Sequence, residues 1–143
     1  MHVETILATK GSDVVTVRDD ETIAQAVTRL EGHGIGALVV VDGADKPIGI
    51  LSERDIARGV SSHGPRLPEA PVKALMSGNL VTCGPDDSIA ELMAVMTEKR
   101  IRHLPVVGGG ALVGIVSIGD VVKVRLGEIE EEANAMRAYI AGN

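Results

Sequence analysis

The sequence predicts an α/β protein built from two β-α-β-β-α repeats, with an extended helix at the C-terminus. The first observation behind this is internal similarity: residues 15–27 match residues 81–93 at an offset of 66, and residues 35–43 match 101–109. The second is that each copy passes from helical to strand-like spacing of its apolar residues. Each copy is too small to bury its own faces, so the two should pack as one unit.

Each repeat opens with a short strand and a capped helix. The strand is predicted to end near Thr16 in the first copy and near Thr82 in the second. The helix follows a Thr or Ser that is three residues before a Gln or Glu, at 22–25 and at 88–91. This spacing is typical of a capping box, in which side chain and backbone satisfy each other's hydrogen bonds. Apolar residues at helical spacing then predict the buried faces of both helices.

Each repeat continues with a β-hairpin and a second helix. β-branched runs separated by glycine-containing turns predict the strands. These strands are Leu38–Val41 and Ile48–Leu51 in the first copy, and Leu104–Val107 and Val113–Val116 in the second. A further helix is predicted to start at Ser52 and at Ser117.

The repeats also suggest boundaries along the chain. The segment 61–71 is rich in Ser, Gly and Pro, which is typical of a linker. A weaker echo precedes each copy, because VETIL at 3–7 resembles VKALM at 72–76. The predicted organisation is repeat 1 over 1–60, a linker over 61–71, repeat 2 over 72–126 and a C-terminal helical extension over 127–143.

The C-terminal extension carries a heptad-like seam of apolar residues with spacings of 4, 3, 4, 3 and 4. Its members are Val122, Leu126, Ile129, Ala133, Met136 and Ile140. Such a seam packs against another helical surface. That surface belongs either to a partner chain or to the same subunit, and the sequence leaves both open.

Composition excludes several functions. The chain has 143 residues, a net charge of −6, one Tyr and no Phe or Trp. A negative chain without aromatic platforms is unsuited to binding nucleic acid. A lone Cys83 and four scattered His predict neither disulfides nor a metal site. No apolar run reaches membrane-spanning length and no secretory signal is visible, so we expect a cytoplasmic protein with no membrane partner.

The phrase Gly-Ile-x-Ser-x-x-Asp occurs once in each copy. Its members are Gly49, Ile50, Ser52 and Asp55 in the first copy, and Gly114, Ile115, Ser117 and Asp120 in the second. The Ser and Asp lie where a strand turns into a helix, whose free N–H groups attract anions. The carboxylate can accept hydrogen bonds from two adjacent hydroxyls, as on a ribose. A helix cap without any ligand would use the same residues.

These phrases, together with IGALVVV and RIRHLPVV, resemble those of tandem CBS domains, also called a Bateman module. The resemblance covers residues 3–60 and 72–126. It implies a pseudo-two-fold module whose repeats leave two clefts for adenosyl ligands: AMP, ADP, ATP, S-adenosylmethionine or NAD(H). It also implies that the Asp of one repeat holds the ribose, while strand segments of the other repeat hold the adenine.

The resemblance assigns residues to each cleft. The first cleft would combine Ser52, Arg54, Asp55 and Ile50 with Thr82, Cys83, Arg102 and His103. The second would combine Ser117, Asp120 and Ile115 with Thr16, Val17, Gly36 and Ala37. The first has three candidate cations for phosphate and the second has no obvious one. We therefore expect the Asp55 cleft to bind a charged nucleotide more tightly.

The predicted function is a regulatory module that senses energy or redox state by binding AMP, ADP, ATP or NAD(H). The resemblance implies a homodimer. Since no catalytic domain is recognised in the chain, its output would pass either through a protein target, which the sequence does not identify, or through the geometry of the dimer. No nucleophile or metal cluster has recognisable spacing, so an enzyme is not expected and no catalytic cofactor is implied. The alternative is a structural dimerisation adaptor with vestigial nucleotide sites.

Overall fold

A computed structural model describes residues 1–142, which form helices and strands in the predicted alternation. In chain order they are α1 (Val3–Lys10), β1 (Thr16–Arg18), α2 (Ile23–His33), β2 (Ala37–Val41), β3 (Pro47–Ser52), α3 (Glu53–His63), α4 (Ile89–Lys99), β4 (His103–Gly108), β5 (Ala111–Ser117) and α5 (Ile118–Gly142). Short 3-10 helices cover Gly64–Glu69 and Val72–Ala74. This confirms the predicted mixed α/β fold and the long C-terminal helix.

The chain divides into two compact units that do not coincide with the repeats. The N-terminal unit is Asp13–Val81, and the C-terminal unit joins Met1–Ser12 to the residues from Thr82 onward. The helix α1 therefore belongs to the unit that contains the second repeat, and the segment 72–76 belongs to the unit that contains the first. These are the two segments that echo each other in the sequence.

The N-terminal unit is built on a three-stranded sheet in the order β1-β2-β3. β1 pairs in parallel with β2, which pairs antiparallel with β3. All five residues of β2 are buried, as expected for a central strand. The apolar face of α2 packs into the same core through Ile23, Ala26 and Leu30.

The capping box that opens α2 is complete. The Gln25 backbone N–H donates to the Thr22 hydroxyl at 3.2 Å, and the Thr22 N–H donates to the Gln25 side chain at 2.9 Å. The helix ends where Gly34 adopts φ 63°, a left-handed conformation that glycine tolerates best. The sequence thus encodes both ends of α2 locally.

The predicted linker is helical and packed. Residues 61–63 complete α3, and the following 3-10 helix includes Leu67, which joins the core together with Ala70. The Leu67 and Leu75 side chains lie so close to Gly59 that an added Cβ would meet them at 2.7 and 2.9 Å. Prolines at 65, 68 and 71 favour this tight geometry because they fix φ.

The C-terminal unit contains a two-stranded sheet of β4 and β5, with α4, α5 and α1 around it. Ile89, Leu92 and Met96 form the buried face of α4, as predicted. The capping box at 88–91 is half formed: the Glu91 N–H donates to the Ser88 hydroxyl at 3.1 Å. The prediction of a strand ending near Thr82 is wrong, since only an isolated bridge between Cys83 and Val106 forms there.

The helix α5 runs for 25 residues and buries only Val121. Most of its heptad-like seam is exposed: Leu126 is 61%, Met136 59% and Ile140 75% accessible. The interpretation in which this seam packs on its own chain is therefore wrong.

Candidate functional site

Ser52 and Asp55 form a complete capping box at the start of α3. The Ser52 N–H and hydroxyl donate to Asp55 Oδ2 at 2.9 and 3.0 Å, and the Asp55 N–H donates back to the Ser52 hydroxyl at 3.3 Å. Both residues are partly accessible to solvent. The box fixes the carboxylate in place at the strand-to-helix junction.

Ser117 and Asp120 form the corresponding box at the start of α5, with an additional partner. The Ser117 N–H donates to Asp120 Oδ2 at 2.9 Å, and the Asp120 N–H donates to the Ser117 hydroxyl at 3.2 Å. Lys10 Nζ, at the end of α1, donates to the same Oδ2 at 2.7 Å and to the Ile115 carbonyl at 2.9 Å. Asp120 therefore has a cationic neighbour that the sequence analysis did not assign to this site.

The environment of Asp120 favours its charged form. Burial raises the pKa of this carboxyl, but hydrogen bonds from Lys10 and Ser117 outweigh burial and hold the pKa below its ordinary value. The ion pair with Lys10 is partly exposed, so water weakens it.

The glycine of each repeated phrase lets another segment cross the strand. A Cβ on Gly49 would lie 2.5 Å from the Ser77 carbonyl oxygen, and a Cβ on Gly114 would lie 2.5 Å from a methyl group of Leu7. Ile50 exchanges backbone hydrogen bonds with Ser77 at 3.1 and 2.9 Å. The crossing segments are the two sequence echoes, which explains why each accompanies a Gly-Ile-x-Ser-x-x-Asp phrase.

Gly36 and Ala37 lie beside the Ser52 box in the N-terminal unit. Ala37 is the strand partner of Ser52, and the Glu53 N–H donates to the Gly36 carbonyl at 3.0 Å. Because the Gly36 oxygen satisfies a free N–H at the start of α3, the strand entry and the helix start are held together.

Arg102 and His103 occupy the same positions in the C-terminal unit. His103 is the strand partner of Ser117, and the Ile118 N–H donates to the Arg102 carbonyl at 2.8 Å. The Arg102 side chain is exposed, as is that of Arg54 on α3. Each unit therefore brings its own strand-entry residues next to its own Ser and Asp.

The first-strand residues differ between the units. Thr16 and Val17 begin β1, and Arg29 holds this strand by donating to the Thr16 carbonyl at 3.1 Å and to Glu21 at 2.7 Å. The hydrogen bond from Arg29 lowers the pKa of Glu21 despite an opposing effect of burial. In the second repeat Val95 stands at the position that corresponds to Arg29, and its side chain has no donor that could anchor the segment at 82 in this way.

Cys83 is a buried core residue. Its backbone N–H donates to the Pro105 carbonyl at 3.0 Å, and its side chain is 7% accessible. Burial, with a smaller effect of the nearby Asp87 charge, raises the pKa of the thiol to about 11. The thiolate that redox chemistry and metal binding require is therefore disfavoured at neutral pH.

A cavity of 460 Å³ lies in the N-terminal unit between α2 and the start of α3. Its lining is Val27, Leu30, Glu31, Gly34, Ile35, Gly36, Glu53 and Ile56. Only Gly36 among the predicted site residues faces it. Two carboxylates and no cation line this cavity, so it does not suit a phosphate group.

The two units thus divide the predicted residues between them. Ser52, Arg54 and Asp55 share a unit with Thr16, Val17, Gly36 and Ala37, while Ser117 and Asp120 share the other with Thr82, Cys83, Arg102 and His103. The assignment of residues from different units to one cleft stays a prediction. Sequence reasoning missed Lys10, although the echo between 3–7 and 72–76 signals that α1 belongs with a repeated phrase.

Two further classes of site are absent from residues 1–142. No group of three or more His, Cys, Asp or Glu in this range could hold a metal ion. No helix in the same range has the length and apolar character needed to cross a membrane.

Comparisons with known proteins give the family. A family model for the CBS domain matches residues 3–62 and 72–127. The mitochondrial CBS domain-containing protein CBSX3 of Arabidopsis thaliana is 37% identical over 127 residues, which are 86% of this chain and 62% of that protein. The chain therefore spans less than two thirds of that relative.

Solved structures agree with this match. The crystal structure of a CBS-domain-containing protein from Agrobacterium tumefaciens is 43% identical, covers 87% of this chain and 92% of its own, and has a TM-score of 0.83. The CBS domain pair of protein MJ0100, solved in complex with 5′-methylthioadenosine and S-adenosyl-L-methionine, is 26% identical, covers 90% of this chain and 98% of its own, and has a TM-score of 0.78. Two family matches cover most of the chain, which is therefore a tandem CBS domain pair.

Proposed function

We propose that this CBS pair is a regulatory module that binds an adenosyl nucleotide, AMP, ADP, ATP or NAD(H), at Asp55 and Asp120. The observation that carries the proposal is the repeated capping box, which fixes one partly accessible carboxylate at each strand-to-helix junction. The ligands of the MJ0100 pair support it, because both contain an adenosyl group. Binding would shift the protein between arrangements and so report energy or redox state.

The chemistry of the box suits a ribose. In Asp55 and Asp120 the bonds within the box all go to Oδ2. The opposite oxygen, Oδ1, takes no part in these bonds and is proposed to accept from a ribose hydroxyl. A charged acceptor makes such a bond stronger than a neutral one.

The adenine would be held without aromatic stacking. The strand-entry and first-strand residues Val17, Ala37 and Cys83 have aliphatic or thiol side chains that are almost fully buried, so they are proposed to back the adenine rather than to stack on it. We propose the cleft assignments made above: Ser52, Arg54, Asp55 and Ile50 with Thr82, Cys83, Arg102 and His103, and Ser117, Asp120 and Ile115 with Thr16, Val17, Gly36 and Ala37. Arg54, Arg102 and His103 are the proposed phosphate contacts of the Asp55 site.

Thermal unfolding with AMP, ATP, NADH and S-adenosylmethionine tests the proposal. Ligand at about one hundred times its Kd stabilises a folded protein by about 2.7 kcal/mol, which shifts Tm measurably. We expect at least one ligand to raise Tm, and the double variant Asp55→Ala/Asp120→Ala to abolish this rise. Asp86→Ala, an exposed carboxylate outside both boxes, is the matched control and should keep it. No shift with any of the four at millimolar concentration would overturn the proposal.

A second function, dimerisation, is favoured by α5. Its seam exposes Leu126, Ile129, Met136 and Ile140 in a continuous row, which is unusual for a helix that faces only water. We propose that the seam packs against a second copy of this chain to form a homodimer, or against a protein target. We also propose that the module acts in the cytoplasm. If no nucleotide binds, this adaptor role is the alternative function.

Mass in solution tests the role of the seam. Leu126→Lys/Met136→Lys places charges in the seam and is expected to convert the dimer to a monomer in light scattering. Glu131→Lys/Asn134→Lys places two lysines at exposed polar positions of the same helix and is the control, expected to remain dimeric. A dimer that survives the seam substitutions would remove α5 from the interface.

A further inference from the structure

The last residue of α1 places a lysine on one of the two ribose-reading carboxylates. Lys10 Nζ lies 2.7 Å from Asp120 Oδ2 and 2.9 Å from the Ile115 carbonyl oxygen. We propose that Lys10 determines charge selectivity at the Asp120 site, so that this site prefers an anionic adenosyl ligand to a neutral one. This inference rests on the proposed nucleotide-binding function.

Packing of α1 fixes the position of Lys10. Val3 and Ile6 are buried, and Leu7 lies over Gly114 of β5. The N-terminus of α1 is anchored by the Val3 and Glu4 N–H groups, which donate to the Asp87 and Pro85 carbonyls at 3.0 Å each. Because both ends of the helix are held, its last residue reaches the Ser117–Asp120 box from a fixed direction. A cation at a helix C-terminus is also favoured by the helix dipole.

Lys10 has the capacity to bind a ligand as well as Asp120. An ammonium group carries three donors, and two of them are used by Asp120 and Ile115. No other partner of Nζ occurs within residues 1–142, and the side chain is 36% accessible. The third donor is therefore available to a phosphate oxygen of a ligand whose ribose is held by Asp120.

The charges at the Asp120 site also favour an anionic ligand. An isolated carboxylate attracts ribose hydroxyls but repels a phosphate that is attached to the same sugar. At the short distances within one nucleotide this repulsion is not screened by salt. The ammonium of Lys10 cancels the charge of Asp120 at close range and removes the penalty, while Oδ1 still accepts from a hydroxyl.

The N-terminal unit has no lysine at the position that corresponds to Lys10. In its capping box Asp55 is bonded by Ser52. The echo that aligns Val3 with Val72 places Asn79 at the position equivalent to Lys10, and asparagine carries no charge. Any preference of the Asp55 site for phosphate would have to come from other residues.

Calorimetry with AMP and adenosine tests the role of Lys10, because these ligands share ribose and adenine and differ only in the phosphate. The full chain with Asp55→Ala isolates the Asp120 site. Adding Lys10→Met is expected to weaken AMP binding about tenfold, the loss of one charge-assisted contact. Adenosine binding should change less than twofold. Lys10→Arg should keep the AMP preference, and Lys99→Met, which removes a charge from α4, should have no effect.

The controls separate the possible failures. If Lys10→Met leaves the ratio of the AMP and adenosine affinities unchanged, whether both fall equally or neither falls, the inference is wrong. An equal fall would mean that Lys10 only positions α1. If the parent chain binds neither ligand, the proposed nucleotide-binding function fails first. Should Lys10→Met unfold, Lys10→Gln is compared with Lys10→Arg at matched Tm, and loss of AMP preference only in Lys10→Gln is the expected result.

Discussion

The two repeats share a sequence pattern, but the N-terminal unit forms a three-stranded sheet and the C-terminal unit a two-stranded one. Two prolines account for the difference. In the N-terminal unit the N–H groups of Val39 and Asp19 donate at 3.3 and 3.0 Å to hold β1. The equivalent residues of the second repeat are Pro105 and Pro85, which have no N–H. Only the two bonds of Cys83, at 3.0 and 2.8 Å, remain.

A second difference lies at the carboxylates. Asp55 and Asp120 occupy matching capping boxes, but Asp120 is bonded by Lys10, whose counterpart in the other unit is the uncharged Asn79. The cation comes from the end of α1, beyond the residues 3–7 that echo 72–76. Duplicated motifs therefore keep their local hydrogen bonds, while the charge around them depends on segments that the duplication does not repeat faithfully. The predictions below test how far the two halves differ.

The largest difference between the two units is expected in the free energy of unfolding, when the glycine of each repeated phrase is replaced. We expect Gly49→Ala to lower the free energy of unfolding by about 3 kcal/mol and Gly114→Ala by about 1 kcal/mol. The new Cβ at Gly49 meets a backbone carbonyl that cannot move, whereas the one at Gly114 meets the flexible side chain of Leu7. Urea unfolding measures both values. Equal losses would show that the two crossings are equally rigid.

The second largest effect is expected on ligand affinity, when the carboxylate of each capping box is removed. Asp55→Ala and Asp120→Ala are each expected to weaken AMP and adenosine binding at their own site by about tenfold or more, since a hydrogen bond to a charged group is worth about 1.5–3 kcal/mol. Three proposed cations, Arg54, Arg102 and His103, serve the Asp55 site, against Lys10 alone at Asp120. The Asp55 site is therefore expected to bind AMP more tightly, so that its disruption in Asp55→Ala removes more of the chain's total AMP affinity. Equal losses in calorimetry would contradict this asymmetry.

The smallest effect should be on pH dependence. The folded pKa of Asp120 is below its ordinary value, so its ionised form stabilises the fold above about pH 4, and this contribution is lost as the pH falls through the folded pKa. The ion pair is partly exposed, so Lys10→Met should cost less than about 1 kcal/mol at neutral pH and still less near pH 3. Chemical unfolding at both pH values measures this. An equal cost at both would mean that Lys10 acts through packing alone.

Much of the fold could be predicted because its signals are local. The apolar spacing of α2 and α4, the β-branched runs of the hairpins and the Ser–Asp boxes each lie within a few residues. Repeat similarity wrongly predicted a strand near Thr82. Its absence depends on the two prolines and on the partner strand, which the similarity does not take into account. The helical packing of 61–71 was missed because its Ser, Gly and Pro content is equally typical of a mobile linker.

By itself, the sequence determined the repeat, the order of elements and the candidate residues at each strand-to-helix junction, because these depend on spacing along the chain. Only the tertiary structure decided that α1 joins the second repeat's unit and the segment 72–76 the first's, and that Lys10 reaches Asp120 across 110 residues. Packing of Leu7 on Gly114 brings these groups together. Contacts of this kind follow from the three-dimensional path of the chain, and no local pattern encodes them.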